Sequence, residues 1–318
     1  MSARDVARGA IRVVAPGLLT TVQDLGRFGH GELGVPPSGA ADPVSLRIGN
    51  RLVGNDDGAA AFEMTLVGGT FAFERPAVIA LAGSDFAPRL DGAKVPSWVP
   101  LEARAGQTLR LGATRGGARA YLCVRGGISV PDVLGSAATH LLVGLGGFEG
   151  RPLRIGDRLD VGDRVAGEPP RAPFDPRRVP GLLRRDVLRV TPGPQAAWFL
   201  EDERHAFHAG SYRVTESSNR MGLRLEGRAI RPSAGRELVT EGVCPGAVQV
   251  PPDGQPIVLL VEHPTTGGYP KIASVVSADF HALGQLRPRD AVRFEPVSFE
   301  TAQALLLEQE NALRELLG

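Results

Sequence analysis

The chain has 318 residues, 42% of them hydrophobic, enough to bury a substantial core in two domains. Its 36 basic and 35 acidic side chains nearly cancel, with no long run of one sign, which argues against nucleic acid or an anionic membrane as partner. Cys123 and Cys244 stand far apart and form no CxxC pattern, so neither a disulfide framework nor a cysteine metal site is expected.

Residues 11–15 alternate as a first strand, turned by Pro16-Gly17. The next stretch, LLTTVQDLGRFGHGELGVPPSGAADP, is too rich in Gly and Pro for regular structure. It nevertheless carries Gln23, Asp24, Arg27, His30, Ser38 and Asp42, and a polar loop this long inside a domain points to function. Asp42 as N-cap and Pro43 at the first helical position open a helix striped by Val44, Ile48 and Leu52 and stopped by Gly54. Over residues 71–130 strand follows strand (TFAFE, AVIALAG, FAPRL, TLRLG, ARAYLCVRGG), with the turn spacing of a sandwich or barrel. Gly144, Gly146 and Gly150 give GxGxxxG outside any βαβ unit, which speaks against a dinucleotide fold, and the absence of GxxxxGK[ST] excludes a P-loop.

Residues 167–184, containing GEPPRAPFDPRRVPGLL, read as a linker between a β domain at 1–166 and a second at 185–297. In the second domain residues 187–191 and 212–215 read as strands and 194–205 as a helix. Ser277 is expected to cap a short helix, and Ser298 to start a C-terminal helix over 298–318 striped by Ala302, Leu305, Leu306, Leu313, Leu316 and Leu317. The halves echo each other: PAVIALAG resembles PIVLLVEH, and LRIGDRLDV resembles LRPRDAVRF. His205 and His208, spaced HxxH, sit among Glu201, Asp202 and Glu203 as a solvated helix face, so no metal site is expected there. The opening MSARDVARGAIRVVAPG has no apolar targeting core, and no later segment approaches the ~20 apolar residues of a membrane span, so a soluble cytoplasmic protein is expected.

The sharpest chemistry lies in EHPTTGGYP, residues 262–270, between the strand-like runs 256–261 and 272–276. Paired glycines let backbone N–H groups approach an anion, and Thr265 and Thr266 add hydroxyl donors; a plain Gly267-Gly268 turn is the alternative. Lys271 follows directly, one of two lysines in the chain. Arg220 is a candidate carboxylate clamp and Glu241 a candidate general base, unless the two simply pair at the surface. Gln249 is placed either to bond a ligand or to satisfy a turn. No GxSxG elbow occurs, and neither cysteine lies in a nucleophile motif.

LLTTVQDLGRFG, GVPPSGAAD, RLVGN, RGGI with LGSAAT, NRMGLRLEG, TEG, AVQVPPDGQPI and TTGGYP, in that order, resemble the family of the 5-oxoprolinase C subunit, allophanate hydrolase subunit 2 and the urea amidolyase carboxyltransferase domain. The resemblance implies a mainly β protein of two cyclophilin-like β-barrel domains with a few short helices and a C-terminal helix. It further implies a cytoplasmic complex with A and B subunits that uses ATP and Mg2+ to open 5-oxo-L-proline to L-glutamate, the chain being inactive alone. Carried over by motif, Asp42 and Glu241 become catalytic candidates, joined by Lys271 as the rare lysine just past TTGGYP, and Ser38, Gly39, Arg220, Gln249, Thr265, Thr266, Gly267, Gly268 and Tyr269 substrate- or anion-binding ones. Ala41, Thr240 and the Glu262-His263 pair depart from the usual pattern and bear on substrate choice rather than fold. Two other activities fit the same family: a biotin-dependent carboxyltransferase acting on urea or allophanate, and a regulatory protein that antagonises a histidine-kinase inhibitor.

Overall fold

The computed structural model describes residues 10–170, 174–179, 181–183, 185–233 and 238–317. The opening nine residues and parts of the proline-rich stretch, on which the targeting and linker readings partly rest, lie outside them. Two compact units form: Met1–Arg27, Ser38–Pro176 and Glu315–Gly318 in the first, Phe28–Pro37 and Arg177–Arg314 in the second. The break at Pro176 and Arg177 falls within the proline-rich stretch.

In the first unit β1 (Ile11–Ala15), β2 (Leu19–Gln23), α1 (Pro43–Leu52), β3 (Ala61–Thr65), β4 (Thr70–Phe73), β5 (Ala77–Gly83) and β6 (Arg89–Leu90) come first in the chain. They are followed by β7 (Ala93–Lys94), β8 (Leu101–Ala103), β9 (Thr108–Arg110), β10 (Arg119–Val124), β11 (Ile128–Ser129) and β12 (Arg158–Val161). One sheet runs β11-β12-β1-β4-β9-β6-β7 and the other β2-β3-β10-β5-β8. β10 is buried along its whole length between β3 and β5, which is why its sequence is a continuous rather than alternating apolar run. Phe62 stacks on Phe71 with ring centroids 5.2 Å apart, joining β3 to β4 in the core. Asp42 caps α1 as expected, accepting from Ser45 N at 2.9 Å.

The second unit holds β13 (Val187–Pro192), α2 (Glu201–Ala209), β14 (Tyr212–Val214), β15 (Gly222–Glu226), β16 (Glu241–Gly242), β17 (Ala247–Gln249) and β18 (Ile257–Leu259). β19 (Thr266–Gly267), β20 (Lys271–Val275), α3 (Phe280–Gln285), β21 (Ala291–Pro296) and α4 (Phe299–Leu317), as far as Arg314, complete it. The strands close a barrel in the order β13-β20-β17-β18-β15-β14-β21, sealed by a parallel pairing of β13 with β21. Closure leaves no open edge in the barrel. β16 and β19 form a separate two-stranded ribbon, with Glu241 opposite Gly267. α2 packs on the barrel through Phe207, whose ring stacks 4.5 Å from that of Phe294. α4 buries Leu313 and sends Gln309 Nε2 to the carbonyl of Ala278 at 2.9 Å; the side chains of Leu316 and Leu317 lie outside the described ones.

The echoed segments adopt the same turn. Arg154 N donates to Asp157 Oδ2 at 2.7 Å and Arg287 N to Asp290 Oδ2 at 2.9 Å, with positive φ at Gly156 (91°) and Arg289 (76°). Each turn then feeds a strand, β12 or β21, that pairs with the first strand of its unit.

Several local expectations are corrected. Residues 194–205 do not form one helix: a 3-10 turn at Ala196–Trp198 ends at Phe199, which is extended and buried, and α2 starts at Glu201. The three acidic residues that open α2 suit the positive end of its dipole. Ser277 caps nothing with its side chain. β2 and β3 lie where no strand was expected, in the Gly- and Pro-rich loop and in AFEMT, where Glu63 interrupts the apolar run.

Candidate active site

Lys271 opens β20 with its side chain 3% exposed, and its Nζ donates to Glu241 Oε1. A buried ammonium needs a counter-charge, and Glu241, at 40% exposure, supplies it from the ribbon. The bonds from Lys271 and then from Gln195 hold the Glu241 carboxyl below its ordinary range. Gln195 Nε2 donates to Glu241 Oε1 at 2.8 Å, and its Oε1 accepts from Lys271 N at 3.1 Å.

Gln249 stands beside Lys271 in the pairing of β17 with β20, at a bulge. It is 4% exposed, and its Nε2 has no hydrogen-bond partner among the described residues. That amide faces Gly267, where a Cβ would come within 2.5 Å of it. Lys271, Glu241, Gln195, Gln249 and Gly267 thus form one cluster in the second unit. The Lys–Glu pair is neutral overall, and the amide without a partner offers a donor to a ligand oxygen. Thr265, Thr266, Gly268 and Tyr269 flank Gly267 along the loop, with Tyr269 43% exposed and Val243 N donating to Thr265 O at 3.1 Å. The Gly267-Gly268 segment is therefore built against Glu241 through the ribbon.

Arg220 is not an open clamp, nor is it paired with Glu241. Its Nε donates to Glu262 Oε1 at 2.5 Å, and both side chains are buried, 4% and 3% exposed. The pair anchors the base of the 262–270 loop, where Glu262 N also donates to Arg220 O at 2.9 Å. Next to it, His263 donates from Nδ1 to the carbonyl of Pro264 at 2.7 Å, and burial keeps the ring neutral by lowering its pKa.

Ser38, Gly39 and Asp42 belong to the first unit, where the backbone donors of SGAAD are largely consumed by the protein. Ala40 N donates to Asp24 O, Ala41 N to Glu63 Oε2 at 2.9 Å, and Asp42 N to the Tyr121 hydroxyl at 2.8 Å. Both Asp42 carboxylate oxygens accept from Ser45, so the side chain expected to be catalytic caps α1. Glu63, 1% exposed, is bonded also by the Tyr121 hydroxyl at 2.7 Å. Gly39 has φ +83°, and a Cβ there would meet Gly26 N at 2.6 Å, so the motif needs that glycine for packing. Ser38, also at positive φ (55°), keeps a buried hydroxyl without a partner among the described residues.

Gln195, Glu63 and Tyr121 were not singled out from the sequence. A lone acid inside an apolar strand (AFEMT) was the available signal for Glu63; a polar residue just past the first strand of the barrel was the signal for Gln195. Among the described residues no group of three or more His, Cys, Asp or Glu is placed to hold a metal ion. His205 and His208 instead border a cavity of about 290 Å³ floored by Val190, Pro192 and Ile272. No helix among those residues is long and apolar enough to cross a membrane.

Known proteins share this architecture. The carboxyltransferase domain model, subdomain A and B, matches residues 33–296. The chain is 40% identical to the 5-oxoprolinase C subunit of Escherichia coli, over 96% of this chain and 97% of that protein. It is 34% identical to urea amidolyase of Saccharomyces cerevisiae, over 97% of this chain but 18% of that protein. Among solved structures it superposes on K. lactis urea amidolyase with a TM-score of 0.90 at 33% identity, covering 99% of this chain and 20% of the larger one. The closed β-barrel and the match over residues 33–296 define a carboxyltransferase-type domain. The chain belongs to the carboxyltransferase domain family, subdomain A and B, as its ordered motifs indicated.

Proposed function

We propose that this chain is the C subunit of a cytoplasmic, ATP-dependent 5-oxoprolinase and, with A and B subunits, opens 5-oxo-L-proline to L-glutamate. The observation that carries this reading is the 40% identity running along 97% of the E. coli protein. A five-membered lactam resists hydrolysis. Transfer of the ATP γ-phosphoryl group to the amide oxygen, releasing ADP, makes the carbon electrophilic; water adds to it, the C–N bond breaks as the ring nitrogen takes a proton, and a second water hydrolyses the resulting acyl phosphate to L-glutamate and phosphate. In this reading Lys271 and Gln249 hold the lactam oxygen as charge develops on it, and Glu241, bonded to the Lys271 side chain, accepts a proton from the attacking water. The 265–269 loop, with Thr265, Thr266, Gly267, Gly268 and Tyr269, encloses the substrate, and Arg220 holds the loop base through Glu262.

A second reading, a carboxyltransferase step on urea with a biotin-borne carboxyl group as substrate, is favoured by the superposition on urea amidolyase. Purified chain mixed with A and B subunits, ATP and 5-oxo-L-proline tests the first. Glutamate released by the full set and not by the chain alone supports it, and no release by the full set removes it.

A further inference from the structure

Gln195 joins the two charged residues of the site through both ends of its side chain. Its backbone N donates to Lys271 O at 3.2 Å, its Oε1 accepts from Lys271 N at 3.1 Å, and its Nε2 donates to Glu241 Oε1 at 2.8 Å. The residue is 6% exposed. The segment that carries it runs unusually close to β20: a Cβ on Gly193 would lie 2.4 Å from Lys271 O, and Gly193 N donates to Ile272 O at 3.0 Å. Only a residue without a side chain lets residues 193–195 dock against the backbone of Lys271. Glu241, by contrast, sits on a two-residue strand with its side chain 40% exposed. A long carboxylate side chain at such a place has several rotamers open to it, and a single ion pair fixes it weakly.

We propose that Gln195 is a positioning residue of the site: one end of its amide is locked to the backbone of Lys271, and the other holds the Glu241 carboxylate in register with the Lys271 ammonium. The amide N–H and the ammonium both favour the ionised carboxylate, in keeping with its lowered pKa. Among the described residues, Lys271 is the charged group that meets Glu241. Losing the Gln195 donor therefore weakens the hold on the charge without removing the charge partner. The catalytic consequence rests on the oxoprolinase reading; the geometry does not.

The test uses two variants of the full chain. Gln195→Glu keeps the side-chain volume and an oxygen for Lys271 N–H but turns a carboxylate oxygen toward Glu241. Gln195→Met keeps the volume and removes both bonds. Carboxyl 13C NMR of the chain alone, with Glu241 assigned through Glu241→Gln, reads the titration midpoint directly. The midpoint rises by about one pH unit in Gln195→Glu and by less in Gln195→Met, and the acid limb of kcat/KM in the assembled complex moves with it. An identical Glu241 midpoint in wild type and whichever variant folds overturns the assignment. A shifted midpoint with no lactam turnover in any form sinks the oxoprolinase reading and leaves Gln195 in its role. Turnover with no shift does the reverse.

Discussion

A Cβ on Gly267 would stand 2.5 Å from the side-chain nitrogen of Gln249, so the first glycine of the loop and the amide without a partner on β17 share one small space. Gly267 has no positive φ, so Ala fits its backbone, and the obstacle is the end of a movable side chain. Gly268 is different: its nearest neighbours, Thr240 Oγ1 and Leu238 O, are at 3.5 and 3.9 Å, ordinary contact. Gly267→Ala should fold normally, displace the Gln249 amide and lower kcat/KM about tenfold, roughly 1.4 kcal/mol of transition-state binding. Gly268→Ala should fold as wild type and lower turnover less than Gly267→Ala does. Steady-state kinetics of the assembled complex, with denaturant curves for both variants, checks the contrast.

Arg220 and Glu262 form a buried ion pair whose loss from one side leaves a charge in the interior. Glu262→Ala or Arg220→Ala should each cost about 3–5 kcal/mol, while Arg220→Met with Glu262→Leu should recover much of it. Urea unfolding of the four forms measures this, and additive losses in the double variant would refute the pairing.

Tyr121 relays between backbone and carboxylate, accepting from Asp42 N and donating to Glu63. Burial and the facing carboxylates push its hydroxyl pKa far up, so it remains a donor at any ordinary pH. Tyr121→Phe should cost about 1–3 kcal/mol, because a buried N–H and a buried carboxylate each lose a partner. The loss should appear in unfolding of the first unit, followed through a tryptophan or fluorine probe placed there.

How far the sequence alone reached can be judged at these residues. Periodic apolar runs such as AVIALAG and RAYLCV became strands because burial of both faces dictates them, and Asp42-Pro43 opened α1 because capping is local. TTGGYP and Lys271 stood out because glycine pairs and a rare lysine are visible one residue at a time. Partnership was not visible. Arg220 lies 42 residues from Glu262, and Gln195 lies 46 from Glu241; such pairs are fixed by barrel closure, which no local pattern encodes. Glu63 illustrates the same limit, since an acid inside a strand looks like an interruption until α1 is laid against it.

Desolvated histidines and a bonded carboxylate shape the acid response of the second unit. Burial lowers the His263 pKa from its ordinary 6.5, and bonding to Lys271 and Gln195 lowers that of Glu241 from 4.5. In both cases the folded value lies below the unfolded one, so the stability contributed is complete above the ordinary value and is lost as pH falls through the folded one. His208, also lowered by burial, adds to the histidine step. The unfolding midpoint should be level above about pH 7, decline below 6.5 and decline again below 4.5. Replacing His263 and His208 by Gln should flatten the first decline and spare the second; an unchanged profile would contradict this.

The Lys271 ammonium is the group on which the proposed chemistry turns, because it receives the lactam oxygen. The most direct measurement is glutamate release from 5-oxo-L-proline and ATP by the chain assembled with A and B subunits, comparing wild type with Lys271→Met. Methionine fills the same space and leaves Glu241 partly solvated, so the barrel should persist by circular dichroism. Turnover is expected in the wild-type assembly, with a loss of about a hundredfold or more in the variant, as for removal of one oxyanion donor. An equal rate of glutamate release from the two assemblies would contradict that role for Lys271.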